Sequence, residues 1–265
     1  MLLYGNLGVF EVWRTKTLAA FEDIDLPTTG DYASEAVEIC VFANSSLPIF
    51  SILGLHAEGN AMLNALGFTL DKAGFVNIDA YCATLITTFQ FLNEKCESVH
   101  LRLLLLLLAP DGAIDVAQVN EWIPSPVTLA EMERDCPSIR VYSMYDLTSS
   151  GARAFLKLGR DDDAYELARL AVAPEQQTEK KTTLVACHSI LGQVAAKRGH
   201  LDEAERHFAR ALEEAKLSRL PMLELIAARD WKATNRDCSA AEAAIDEACI
   251  KMKKTRDKLS SVLSF

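Results

Sequence analysis

The sequence predicts an all-α fold, an α-solenoid built from antiparallel helical hairpins. Three observations carry this expectation: apolar residues recur at helical spacing nearly throughout, strand signals are scarce, and one glycine–alanine pattern returns 40 residues later. Periodic apolar segments run over 2–21, 47–68, 78–109 and 125–132, then continuously from residue 139. Only Ile139 to Tyr142 looks briefly extended, and the spacing of Gly and Pro leaves no room for a regular series of strands.

Taken in order, the segments are separated by breaks expected at 25–30, 44–48, 73–75, 110–112, 124–126 and Pro137. The stretch 110–138 holds four of the eight prolines, which places the main boundary there. The expected organisation is an acidic helical region over 1–138, helical hairpins over 139–250, and a basic helix end or tail over 251–265. Charge follows this division, with a net of -12 over residues 1–150 and +2 over 151–265. The six leucines Leu103 to Leu108 follow His100 and Arg102 and end at Pro110. They make about half of the ~20 apolar residues a membrane span needs, so they read as a helix buried on all sides, with a partner-facing ridge as the alternative. Lys251, Lys253, Lys254, Arg256 and Lys258 read as a solvated face whose cations favour a helix C-terminus.

Composition narrows the function classes. Half of the 265 residues are hydrophobic and only 12 are Gly and 8 Pro, which excludes a disordered or low-complexity chain. A net charge of -10 and a pI near 5.1 oppose a nucleic-acid binder working through phosphate neutralisation. The seven cysteines are odd in number and scattered without paired metal-site spacing, so they read as reduced core thiols of a cytoplasmic protein. The N-terminus lacks the basic region of a signal peptide, and a mean hydropathy of +0.08 would suit a homo-oligomer.

The most specific signal is internal. Gly159-x4-Ala164-x3-Ala168-x2-Ala171 recurs as Gly199-x4-Ala204-x3-Phe208-x2-Ala211. A glycine between helical runs supplies a tight turn, and small residues at fixed offsets let two helices approach closely. Such hairpins bury both faces only by stacking on neighbours.

The segment Ile190 to Leu212 resembles the tetratricopeptide repeat (TPR) family. Leu191, Gly192, Gly199, Ala204, Phe208 and Ala211 occupy the family's Leu, Gly, Gly, Ala, Phe and Ala places. A first unit near 144–172 keeps Ala152, Phe155, Gly159, Ala164 and Ala171 but has Gly151 at the Leu place, and a weaker third unit near 221–250 has Ala228, Trp231, Ala241, Ile245 and Ala248. The 40-residue shift exceeds the family period of about 34. The resemblance implies a right-handed superhelix whose concave face, lined by the first helix of each unit, binds a protein segment. Carried over, the groove residues are Asp146, Ser149, Arg153 and Lys157, then Ser189, Gln193, Ala196 and Lys197, then Arg229 and Lys232. The groove comes out basic, so an acidic helix or extended peptide is the expected partner. Arg153 and Gln193 stand where chaperone-binding members carry a clamp asparagine, so a chaperone tail is not expected. The resemblance thus implies a non-catalytic scaffold without cofactor. The alternatives are a regulatory module whose acidic N-terminal half covers the groove and, less favoured, an enzyme built around His56, Asp79 and His100.

Other chemistry is weakly signalled. His200, Glu203 and His207 lie near one face of a helix and could hold zinc, but that face reads as the solvent side and no fourth ligand is in view. Cys187 and His188 are adjacent in sequence and cannot face each other along a helix. Asp161, Asp162 and Asp163 read as acids complementing a helix N-terminus.

Overall fold

The computed structural model describes residues 46–48, 50–51, 55–88, 94–136, 147–173, 181–234 and 238–252. Among these residues the structure is helical, with no strand. The basic run beyond Met252, the extended segment at 139–142, the boundary at 138 and the groove residue Asp146 lie outside them. The chain divides into two compact units between Ala154 and Phe155.

In the N-terminal unit, α1 (His56–Ala65), α2 (Lys72–Thr88), α3 (Glu94–Leu108), α4 (Val116–Trp122) and α5 (Pro126–Asp135) precede α6 (Leu147–Lys157), within which the unit ends. The apolar run 78–109 is thus shared by two helices rather than one. The break expected at 73–75 is not a break, because Gly74 lies in the first turn of α2. Its N–H donates to Asp71 Oδ1 at 2.8 Å, and a Cβ there would lie 2.2 Å from the Thr69 backbone, so glycine serves close packing of the entering turn. Leu101 and Leu103 to Leu108 on α3 are all buried, as the bland reading of the leucine run expects. α1 and α2 pack on α3. Gly59 meets Leu108 so closely that an added Cβ would lie 2.6 Å from its methyl, and Asn60 donates to the Leu108 carbonyl at 2.8 Å.

In the C-terminal unit, α7 (Asp161–Val172), α8 (Lys181–Lys197), α9 (Leu201–Ser218), α10 (Pro221–Thr234) and α11 (Ser239–Lys251) pack in neighbouring pairs, and α8 also touches α10. The turns that open α7 and α9 have the same backbone. Gly159 and Gly199 take φ of +72° and +80°. The next residues, Arg160 and His200, have φ/ψ of -86°/62° and -87°/68°. Each of those donates its N–H five residues back, to Phe155 and Ala195, at 2.9 Å in both turns. A left-handed residue at this place ends a helix at little cost only when it is glycine. Small residues then bring the helices together: a Cβ on Gly192 would lie 2.9 Å from the Phe208 ring. Phe208 in turn stacks on Trp231, with centroids 5.9 Å apart and planes 10° apart, inside a cluster with Ala195, Ala204 and Ala241.

Candidate functional site

The groove residues differ widely in what they present. Ser149 and Ser189 are buried, Arg153, Lys157, Gln193, Ala196 and Arg229 are part-buried, and Lys197 is exposed. Ser149 and Arg153 belong to the N-terminal unit and the rest to the C-terminal one. Three groove cations of the C-terminal unit are engaged. Lys197 meets Asp161 at 2.7 Å, Arg229 meets Asp230 at 3.0 Å, and Lys232 pairs with Glu242. Beside the first of these, Arg198 reaches Asp162 at 2.5 Å and lies over the Tyr165 ring. Two of the three aspartates at the start of α7 therefore tie that helix to the end of α8, and the third, Asp163, pairs with Arg160 at 2.6 Å.

A cleft of about 510 Å³ opens between the start of α9 and the junction of α10 with α11. Leu201, Asp202 and Glu205 stand on one wall, Cys238 on the other, and Phe208 and Trp231 contribute to the floor. Leu201 is 69% exposed, an unusual position for a large apolar side chain on a helix whose buried stripe is Ala204, Phe208 and Ala211. This cleft has no motif in the sequence: helical spacing predicts Leu201 on the buried stripe with Ala204, Phe208 and Ala211, and the structure leaves it exposed because it stands at the first position of α9, at the mouth of the cleft.

A second cluster joins residues that the sequence reading kept apart. His188 on α8 and His207 on α9 face each other with Nδ1 atoms 3.2 Å apart, so one ring donates to the other. His207 is not on the solvent side as expected; its side chain is 25% exposed because α8 packs over that edge of α9. Its Nε2 lies 3.9 Å from Glu203, which accepts from the Tyr165 hydroxyl at 3.0 Å. Burial, followed by the neighbouring His207, pushes His188 down to about 4, and burial also lowers His207. Both rings are therefore neutral near pH 7. His200 remains 62% exposed, 3.5 Å from Glu203. Among the described residues no three His, Cys, Asp or Glu side chains are grouped to hold a metal ion.

Of the residues considered for an enzyme, Asp79 has structural partners. Asp79 accepts from Ser98 Oγ at 2.6 Å and from Arg102 at 2.8 and 2.9 Å, and Arg102 lies over the Phe75 ring. His100 is buried in α3 and His56 is exposed at the start of α1. Burial pushes Cys82 far up and Cys96 up to about 12, so neither thiol is a ready nucleophile. No described helix is long and apolar enough to cross a membrane. Neither a family model, a curated protein nor a solved structure matches the chain.

Proposed function

We propose that the chain is a non-catalytic interaction scaffold whose C-terminal hairpins stack as a TPR-like array and hold a segment of a partner protein. The observation that carries this reading is the repeated turn: two glycines 40 residues apart, both at positive φ, followed by the same backbone conformation and hydrogen bonds, each leading into a helix. Contacts of α8 with α9 and α10, and the approach of Gly192 to Phe208, support the same stacking. The partner expected at the groove is an acidic helix or extended peptide. Because Lys197, Arg229 and Lys232 already hold carboxylates of their own chain, such a partner binds by exchange, and the net gain of each contact is small.

Affinity capture with the full chain tests this, comparing wild type with a Lys197→Glu plus Lys232→Glu variant whose fold is checked by circular dichroism. Loss of an acidic partner from the folded variant supports the groove. Retention of the same partners removes the groove, and capture of no specific protein by wild type removes the scaffold reading.

A further inference from the structure

The described lining of the cleft beside α9 holds two carboxylates, Asp202 and Glu205, and no cationic side chain. On the same helices Glu203, Glu213, Glu214, Glu224, Glu242 and Glu247 all lie against cationic or imidazole side chains. Asp202 and Glu205 are exposed on the cleft wall and have no ion pair or hydrogen-bonded side chain among the described residues. Lys197 and Arg198 pair with Asp161 and Asp162, and Arg206, next to Glu205 on α9, does not line the cleft. In the same lining, Leu201 leaves a large apolar surface in water.

From this we infer that the cleft docks an extended protein segment in which one aromatic or branched apolar side chain is flanked by lysine or arginine. The volume of about 510 Å³ lies within the range of sites that enclose a ligand group, about 300–1,000 Å³, and is enough for one such anchor. The anchor covers Leu201 and removes apolar area from water, which supplies most of the attraction. The flanking cations meet Asp202 and Glu205, which set orientation and exclude acidic segments by like-charge repulsion. The inference rests on the scaffold reading; the cleft meets the groove at Ala196, whereas Lys197 and Lys232 do not line it.

The test is fluorescence anisotropy on the full chain with a dye-labelled peptide, acetyl-Lys-Lys-Phe-Lys-Leu-Lys-amide, against the same peptide with glutamate in place of lysine. The lysine peptide is expected to bind saturably and the glutamate peptide not to bind. An Asp202→Lys plus Glu205→Lys variant, both positions being exposed and its fold confirmed by circular dichroism, is expected to weaken binding about tenfold, with added salt moving wild type in the same direction. Equal binding of the two peptides, equal binding by wild type and variant, or no binding by wild type overturns the inference. If the peptide fails while Lys197→Glu plus Lys232→Glu still abolishes capture of a partner, the cleft is wrong and the scaffold stands. If the peptide fails and wild type captures nothing, both fall.

Discussion

The two units hold their buried glutamates with different partners. In the N-terminal unit a leucine-filled α3 makes a dry centre, and charged groups drawn into it are tied by side chains from other helices. Glu133, 7% exposed, accepts from both the Thr148 N–H and its hydroxyl at 2.8 Å, capping α6 from α5. In the C-terminal unit alanine and glycine bring helices close, and two nearly buried glutamates send their carboxylates to lysines on another helix: Glu214 to Lys181 at 2.6 Å and Glu224 to Lys251 at 2.7 Å. A helix that is apolar all round needs polar caps from elsewhere, whereas a helix with one small-residue stripe leaves its charges at the edge, where lysine stems reach them. The first arrangement is particular to its place in the chain; the second can be repeated.

The largest expected effect falls on the small-residue packing. Phe208→Ala removes the ring that fills the gap left by Gly192 and stacks on Trp231, and is expected to cost about 3–5 kcal/mol, read by chemical denaturation, with amide exchange rising in α8 to α10. If the exchange rises equally in α3, the contrast between the units is wrong. Glu133→Ala is the counterpart in the N-terminal unit. It deprives the buried Thr148 groups of a charged acceptor and is expected to cost about 1.5–3 kcal/mol, with exchange rising at the start of α6. A loss no larger than that of an exposed helix-surface change would show that the cap is dispensable.

Acid separates the units further. The folded-state value of His188, about 4, lies below its ordinary value, so the unfolded chain takes up a proton that the folded one does not as pH falls from about 6.5 toward 4. Its contribution is complete above that window and is lost on the way down. With solvent reaching both rings, about 1 kcal/mol is expected between pH 7 and 4.5. Denaturation midpoints against pH should slope less in His188→Gln than in wild type; parallel slopes would mean the pair does not sense acid. The smallest effect is a gain. Arg219 ends α9 with φ of 56° and is exposed, so Arg219→Gly is expected to stabilise by about 1 kcal/mol, seen as a raised thermal midpoint.

What the sequence made legible is local. The turns at Gly159 and Gly199, the close approach at Gly192 and Phe208, and the buried leucines of α3 each follow from residue type at short spacing. What it hid depends on which helix lies beside which. His188 and His207 are 19 positions apart and meet only because the hairpin closes, and Asp161 with Lys197 or Asp162 with Arg198 join residues 36 apart. A groove judged from the charges of its first helices therefore looks more basic than it is, because Asp161 and Glu242, which neutralise Lys197 and Lys232, come from neighbouring helices. Gly74 was misread for a related reason: the Thr69 turn that crowds it is invisible in a periodicity pattern.

The matched turns also define a unit of extension. A second copy of residues 160–199 placed directly after Gly199 would join a left-handed glycine to the same following conformation at both seams, with the same pair of backbone hydrogen bonds available. Lengthening the chain by this block would introduce no unfamiliar backbone at either seam.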